Sequence, residues 1–142
     1  MEKAHVIAGS DHVDQRGKLK FFNNFEMEEV LRFYEIVPSS TNIIRAWQAH
    51  KEEKKWFYCL SGSFLLNLVK VDDFENPSDV LEVESYTLNE AEALVLVVPG
   101  GYANGFKAQV EGSKLMVFSS FSVSESQKDD YRYPLAQWAA QW

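Results

Sequence analysis

The chain divides into nine short runs that favour β-strands, separated by residues that favour turns. Many runs are rich in Val, Ile, Phe and Tyr, which suit a pleated, half-buried surface. Turn formers such as Ser61-Gly62-Ser63 and Pro99-Gly100-Gly101 lie between them. Many short strands with little helix predict an all-β sandwich or barrel, and periodicity alone leaves that choice open. The predicted strands cover residues 18–23, 30–37, 42–50, 56–60, 64–71, 80–88, 93–98, 102–109 and 114–121.

Helix signals are sparse. Residues 26–31 suit one turn or the lead-in to a strand, and residues 122–131 suit a short helix or loop with Ser124 as its cap. In the C-terminal tail, Trp138 and Trp142 are four residues apart and would share one face of a helix. We expect these two rings to pack on the core in preference to a second subunit.

Length and composition limit the function. The 142 residues fit a single domain, 1–142, and 46% of them are hydrophobic. The net charge of −7 argues against nucleic-acid binding, which needs a basic face, but it permits a phosphorylated small ligand. The single cysteine, Cys59, lies in an apolar run and is expected to be buried and inert. Lacking a signal-peptide pattern or a long apolar stretch, the chain is expected to be cytoplasmic and not membrane-bound.

Two segments carry polar residues suited to chemistry. The first, residues 45–51, reads Arg-Ala-Trp-Gln-Ala-His-Lys. Gln48 and His50 would project from one face of a strand, where an imidazole beside a wet cavity can exchange a proton near neutral pH. A hydrogen-bonded structural histidine is the alternative. His5 and His12 have no polar cluster around them and are expected at the surface.

Arg45 is out of phase with Gln48 and His50, so it joins their side of the strand only if a β-bulge redirects it. The second segment, residues 99–106, begins with Pro-Gly-Gly and continues through Tyr102 and Asn104. Those two side chains would share a face and suit a hydroxylated ligand. The alternative is a hairpin turn with a wet edge.

Both segments resemble the two motifs of the cupin superfamily. Pro99, Gly101 and Asn104 match the second motif, with asparagine in place of its metal-binding histidine. In the first motif, the metal positions fall on Gln48, His50 and Lys55, followed by the motif glycine at Gly62. Only His50 keeps a ligand type, and a lysine would repel a cation. The resemblance therefore implies a jelly-roll-like cupin barrel with little helix and no bound metal.

The resemblance is sharper to the metal-free cupins that act on nucleotide sugars. Asp14-Gln15-Arg16-Gly17 resembles an opening shared by dTDP-4-dehydrorhamnose 3,5-epimerases and dTDP-sugar 3,4-ketoisomerases. Residues 31–34 resemble the Lys-Arg-x-Tyr strand of the ketoisomerases, and residues 45–51 resemble their Arg-Gly-x-His-Ala-His-Lys segment. The likeness spans residues 10–133.

This resemblance implies a nucleotide-sugar isomerase or epimerase that moves a proton beside the carbonyl of a 4-keto-6-deoxyhexose, without a cofactor. Two departures weigh against it, since Ala46 replaces the motif glycine and Gln48 replaces the first histidine. Glutamine cannot abstract a proton, and in the 3,5-epimerases that histidine is the base. The alternative is a sugar-nucleotide-binding cupin or accessory module without catalysis.

The resemblance also implies roles for individual residues. His50 is expected to be the base or proton shuttle, with Tyr34 as its catalytic partner. Gln48, Tyr102 and Asn104 would orient the sugar, and Arg16 and Arg45 would bind the pyrophosphate through guanidinium contacts. Members of this family are commonly dimers, so a homodimer is expected.

Overall fold

The computed structural model describes residues 2–142, which form twelve strands, one short helix and one 3₁₀ turn. All nine predicted runs correspond to strands, with ends that differ by up to three residues. The elements are β1 (His5–Ala8), β2 (Ser10–Asp14), β3 (Gly17–Phe21), β4 (Arg32–Ile36), β5 (Ile44–His50), β6 (Lys55–Ser61), β7 (Ser63–Lys70), β8 (Val83–Asn89), β9 (Leu94–Val98), β10 (Tyr102–Ala108), β11 (Lys114–Ser119), α1 (Val123–Gln127) and β12 (Tyr131–Arg132), with the 3₁₀ turn at Leu135–Gln137.

Two five-stranded antiparallel sheets enclose the main core. The first has the order β1-β9-β6-β11-β4 and the second β12-β5-β10-β7-β8, while β2 and β3 form a separate hairpin. Alternate residues of each strand face inward, so Phe57 and Leu115 of the first sheet meet Leu66 and Phe106 of the second. The chain is therefore nearly all β with little helix, as predicted.

Strand β6 reads as a continuous apolar run because both of its faces are covered. Phe57 and Cys59 face the main core, whereas Trp56 joins an outer cluster with Val95 and Val97. A strand buried on both sides loses the alternation of polar and apolar residues. Cys59 is buried as predicted, and burial raises the pKa of its thiol to about 11.

Several features differ from the sequence predictions. The sequence does not predict β1, β2 and β12, since β1 is short and largely exposed, β2 is polar and largely exposed, and β12 has only two residues. The prediction of Ser124 as the cap of α1 is wrong. Ser122 caps the helix, because its side chain accepts from the Glu125 N–H while the Glu125 carboxylate accepts from the Ser122 N–H. His5 and His12 are exposed, as predicted.

The C-terminal tail packs on the second sheet without forming the α-helix considered above. Its two indoles contact Trp47 of β5, with ring centroids 5.3 Å away for Trp138 and 5.4 Å away for Trp142. Trp47 Nε1 donates to the Leu135 carbonyl at 3.2 Å, and Asn67 Nδ2 donates to the Gln141 carbonyl at 2.8 Å. The expected packing of both rings on the core is confirmed. Within residues 2–142, no helix is long and apolar enough to cross a membrane.

The turn between β6 and β7 requires glycine for two separate reasons. Gly62 has a φ of +78°, and a Cβ there would lie 2.8 Å from Ser113 Cβ and 2.9 Å from Ser113 Cα. Ser113 has little room to move, because it is buried and its Oγ donates to the Val110 carbonyl at 2.6 Å. Gly112 has the same φ of +78° but no described atom within 4 Å of its Cβ position.

Gly62→Ala should therefore destabilise the fold more than Gly112→Ala. The left-handed backbone alone costs roughly 1–2 kcal/mol for alanine, which is the loss expected at Gly112. Crowding against Ser113 should add about 1–3 kcal/mol at Gly62. Equilibrium urea unfolding measures both values, and equal losses in the two variants would contradict the steric argument.

Candidate functional site

A cavity of about 650 Å³ opens at one end of the two-sheet core. Its wall combines basic, phenolic and amide side chains with an apolar floor that includes Phe57 and Phe106. It is lined by Tyr34, Ile36, Ile44, Arg45, Ala46, Trp47, Gln48, Lys55, Phe57, Asn104, Phe106, Arg132 and Tyr133. The predicted residues Tyr34, Arg45, Gln48 and Asn104 thus lie in one cavity.

A register shift between β5 and β10 brings Arg45 to this cavity. Asn104 pairs with Gln48, but the next residue, Gly105, pairs with Ala46, so Trp47 is the extra residue of a bulge. Two residues of β5 here oppose one of β10, which reverses the facing of the chain beyond that point. The bulge on which the predicted role of Arg45 depends is therefore present, and the indole ring of its extra residue, Trp47, packs against the C-terminal tail.

The basic side chains of the cavity become less exposed to solvent from its outer to its inner end. Arg45 and Arg132 are exposed, whereas Lys55 at the inner wall is only 4% exposed. Lys55 lies in phase with Phe57 and Cys59 on β6, and this alternation turns its side chain inward. Three cationic side chains therefore line a single cavity in a chain with a net charge of −7.

Burial makes Lys55 a weaker base than an exposed lysine. Desolvation lowers its pKa to about 8, with Arg32 and Arg132 acting in the same direction and Glu53 and Asp130 opposing them. Its Nζ donates to Gln48 Oε1 at 3.4 Å. Near neutral pH the group is therefore a cation that can release its proton at modest cost.

Glu53 is the buried counter-charge of this region. Its carboxylate accepts from Ser119 Oγ at 2.7 Å and from Ser126 Oγ at 2.6 Å, and Arg32 Nη2 lies 3.8 Å away. The side chain is fully buried, and helix α1 supplies Ser126. A carboxylate withdrawn from water needs such partners to remain charged.

His50 lies beside this network, and it is not among the residues that line the cavity. The ring is 3% exposed, and its Nδ1 is 2.6 Å from the Asp129 carbonyl and 3.5 Å from Glu53 Oε1. Because a carbonyl only accepts, Nδ1 carries the proton in the neutral ring and Nε2 keeps its lone pair. Nε2 is buried and has no hydrogen-bond partner among residues 2–142.

Burial lowers the pKa of His50, and Lys55 adds to the decrease against the opposing effects of Glu53 and the Asp129 carbonyl. The ring is therefore neutral near pH 7. Asp129 also fixes the loop before β6, because its carboxylate accepts from the backbone N–H groups of Lys51, Glu52 and Glu53 at 2.8–2.9 Å. This anchoring places Glu53 and His50 together.

Tyr34 faces the cavity from the edge strand β4. Burial raises the pKa of its phenol, and Glu53 adds to the increase. The Arg32 guanidinium lies 5.2 Å from the centre of the Tyr34 ring. Tyr34 therefore remains protonated at neutral pH and can donate to a ligand.

Two predicted residues lie outside the cavity. Tyr102 faces the core, where it is 3% exposed and its hydroxyl accepts from the Ala4 N–H at 3.2 Å. Arg16 lies in the β2–β3 hairpin, where its side chain is 84% exposed and its Nη2 pairs with Asp14 at 2.8 Å. Neither is brought to Tyr34, Gln48 and Asn104 within one chain.

Sequence analysis missed Lys55 and Arg132 as members of the site. The motif frame identifies Lys55 only as a residue that would repel a metal, although its phase with Phe57 and Cys59 indicates the inner face of β6. Arg132 reaches the cavity because β12 pairs with β5, with Arg132 opposite Gln48. A two-residue strand so far along the chain gives no periodic signal.

The residues at the cupin metal positions do not suit a metal ion. Gln48 and Lys55 occupy two of them, and the Lys55 ammonium lies 3.4 Å from the Gln48 amide oxygen. Within residues 2–142, no group of three or more His, Cys, Asp or Glu side chains could hold a cation. The donor set instead suits an anionic, hydroxylated ligand.

A family model described as FdtA: WxcM-like, C-terminal matches residues 2–141. The protein belongs to the WxcM-like family. It is also 25% identical over 112 residues to the probable low-salt glycan biosynthesis epimerase Agl13 of Haloferax volcanii, which covers 75% of this chain and 69% of that protein.

Solved structures show the same fold as this WxcM-like chain. The rmlC epimerase of Mycobacterium tuberculosis has a TM-score of 0.79 at 21% identity, covering 98% of this chain and 74% of that one. QdtA of Thermoanaerobacterium thermosaccharolyticum, a sugar 3,4-ketoisomerase in complex with TDP, has a TM-score of 0.71 at 24% identity, covering 92% and 88%. The resemblance predicted from the sequence and the cupin-like all-β fold are confirmed.

The buried Lys55 gives this WxcM-like protein a pH-dependent stability with a defined sign. The unfolded chain keeps this lysine protonated up to about pH 10.5, whereas the folded chain releases the proton near pH 8. Between these values the unfolded state binds more protons, so the free energy of unfolding should rise with pH by about 3 kcal/mol from this group.

Lys55→Met should abolish that rise and increase stability at pH 7, because it removes the desolvated charge. The exposed Lys70→Met is the matched control and should keep the wild-type slope. Urea unfolding at intervals from pH 7 to pH 10.5 measures the difference. Parallel curves for wild type and Lys55→Met would show that Lys55 titrates as an exposed lysine does.

Proposed function

We propose that the protein is a nucleotide-sugar isomerase or epimerase that moves a proton next to the carbonyl of a 4-keto-6-deoxyhexose. The observation that carries the proposal is the composition of the cavity, which holds a buried ammonium, a protonated phenol and two amides, with two guanidinium groups at its exposed end. The family to which the chain belongs and the enzymes that share its fold support the same class of reaction.

The graded charge of the cavity suits the two parts of such a substrate. Arg45 and Arg132 can bind the pyrophosphate at the exposed end, since guanidinium groups contact phosphate oxygens in pairs. The sugar then lies toward Lys55 and Tyr34, with Asn104 and Gln48 beside its hydroxyl groups. This orientation brings the sugar carbonyl to the buried cation.

Chemistry at carbon 3 requires a base, a stabilised enolate and an acid. Removing the proton from carbon 3 moves negative charge onto the carbonyl oxygen at carbon 4, where the Lys55 ammonium stabilises it in a water-poor site. Tyr34 is protonated at neutral pH, because burial raises its pKa, and its hydroxyl is the proposed acid that returns the proton. His50 is the proposed base or proton shuttle, because its neutral ring has an unpartnered Nε2 among residues 2–142.

One observation favours the alternative, a cupin that binds a sugar nucleotide without catalysis. His50 lies outside the cavity lining, and the neutral Gln48 holds the position of the family's first histidine. In this alternative the His50 ring acts as a structural partner of Asp129 and Glu53. A binding module would use the same arginines but transfer no proton.

Exchange of substrate protons with solvent distinguishes the two functions. Incubation of the protein with a dTDP-4-keto-6-deoxyhexose in deuterated water should label carbon 3, and carbon 5 as well if both centres epimerise. Lys55→Met should slow the exchange by about 10²-fold, the typical loss of one group that stabilises an oxyanion. Tyr34→Phe should slow it by a similar factor, whereas Tyr58→Phe, on the outer face of β6, should not.

His50→Asn should abolish exchange while retaining sugar-nucleotide binding, as measured by calorimetry. Unchanged exchange in this variant would remove His50 from the mechanism. Tight binding of several such sugars with no exchange in the wild-type protein would refute catalysis and establish the binding module.

Nucleotide binding tests the exposed end of the cavity. Arg45→Gln and Arg132→Gln should each weaken dTDP binding by about 10-fold or more, since a charge-assisted contact is worth roughly 1.5–3 kcal/mol. Arg16→Gln tests the sequence prediction for a residue outside this cavity. A loss of affinity there would mean that the hairpin reaches the ligand, which the expected homodimer could allow. If Arg45→Gln and Arg132→Gln bind dTDP as tightly as the wild-type protein does, the proposed orientation of the ligand is contradicted.

A further inference from the structure

The amide of Gln48 is engaged at both ends by charged groups. Its Nε2 donates to Asp130 Oδ1 at 3.1 Å, and its Oε1 accepts from Lys55 Nζ at 3.4 Å. Gln48 therefore links a carboxylate near the protein surface to the buried ammonium of the cavity wall. The motif frame gave this residue a role in orienting the sugar, and these two contacts indicate another.

Asp130 determines which end of the amide faces Lys55. A carboxylate only accepts hydrogen bonds, so it selects the amide nitrogen and turns the amide oxygen toward the lysine. The opposite rotamer would place two oxygens together at Asp130 and present N–H groups to an ammonium. Only one orientation of the amide therefore satisfies both the carboxylate and the ammonium.

Asp130 is itself held in a fixed place. Arg132 contacts both of its oxygens, with Nε 2.8 Å from Oδ1 and Nη2 3.2 Å from Oδ2. The pairing of β12 with β5 sets Arg132 opposite Gln48. Burial raises the pKa of Asp130, but the hydrogen bonds from Arg132 and Gln48 outweigh it and lower the pKa overall. The group is therefore an anion at neutral pH.

We infer that Asp130 and Gln48 are positioning residues that hold the Lys55 ammonium in the cavity wall as a cation, where the sugar carbonyl would meet it. The inference rests on the proposed function for its catalytic meaning. It explains why a glutamine serves at position 48, since a neutral amide can satisfy an ammonium on one side and a carboxylate on the other.

Some charged groups around Lys55 raise its pKa and others lower it, so variants of single neighbours can test the inference. Arg32 and Tyr34 face it from β4, His50 from β5, and Glu53 from the preceding loop, with Asp130 and Arg132 beside Gln48. Asp130 raises the pKa of Lys55 and Arg132 lowers it, whereas general loosening of the site would move it in one direction only. Variants of these two neighbours should therefore have effects of opposite sign.

The test is an NMR titration of the lysine Cε and Nζ resonances in labelled, ligand-free protein, with the Lys55 signal assigned by its loss in Lys55→Met. Asp130→Asn and Gln48→Leu should each lower the pKa of Lys55 by about half a unit or more, a threefold change in proton affinity. Arg132→Gln should raise it by a similar amount. Asp130→Glu should keep it near the wild-type value.

A pKa of Lys55 that is unchanged in both Asp130→Asn and Gln48→Leu would overturn the inference. A pKa that falls in Arg132→Gln as well as in those two variants would also overturn it. Deuterium exchange at carbon 3 is measured on the same proteins. Shifts of the expected sign should lower the upper pH limit of exchange in Asp130→Asn. If the shifts occur but the wild-type protein exchanges nothing, the positioning of Lys55 stands and the proposed catalysis fails.

Discussion

The site depends on how its neighbours stabilise the buried ammonium group of Lys55. A charge withdrawn from water between two sheets destabilises the folded chain unless neighbours compensate for lost hydration. Glu53, the Gln48 amide and, through it, Asp130 provide that compensation, while Arg32 and Arg132 oppose it. The outcome is a lysine with a pKa of about 8 that lines a cavity. Such a poised group needs a rigid surrounding structure, because small displacements of its partners alter its charge.

The fold supplies that rigidity from two sides. Asp129 fixes the loop before β6 through three backbone N–H groups, which places Glu53 and His50 behind the cavity. On the outer side, the C-terminal tail packs on Trp47, the extra residue of the β5 bulge. Because the bulge brings both Arg45 and Gln48 to the cavity, the tail stabilises the site from outside without contributing to its chemistry.

Much of this architecture could be predicted from the sequence, for physical reasons that differ between elements. Nine strands carry enough β-branched and aromatic residues to be recognised locally. The alternation on β5 predicts that Arg45 and Gln48 share a face only if a bulge lies between them, and that bulge is present. Strands β1, β2 and β12 could not be recognised, since they are short or polar. Strands β1 and β12 also pair with residues distant in the sequence, whereas β2 pairs with β3 in a local hairpin. Ser122 and Ser124 are equally good caps in composition, and only the reciprocal bond with Glu125 separates them.

The site was less predictable because its chemistry arises from contacts between distant segments. Lys55, Glu53 and Asp130 interact across strand pairs and a loop. The alternation of β6 indicates an inward side chain for Lys55, but no local pattern identifies its partners. The motif frame nevertheless identified the decisive pair of positions, since Gln48 and Lys55 replace a histidine and a glutamate expected at a metal site. Seen together in the structure, the two replacements are complementary. A histidine at position 48 could take up a proton and place a second positive charge beside Lys55, whereas glutamine stays neutral at every pH and contacts both Lys55 and Asp130. A neutral amide thus replaces the histidine at position 48 and a cation replaces the glutamate at position 55, so the cavity holds a positive charge that belongs to the protein itself.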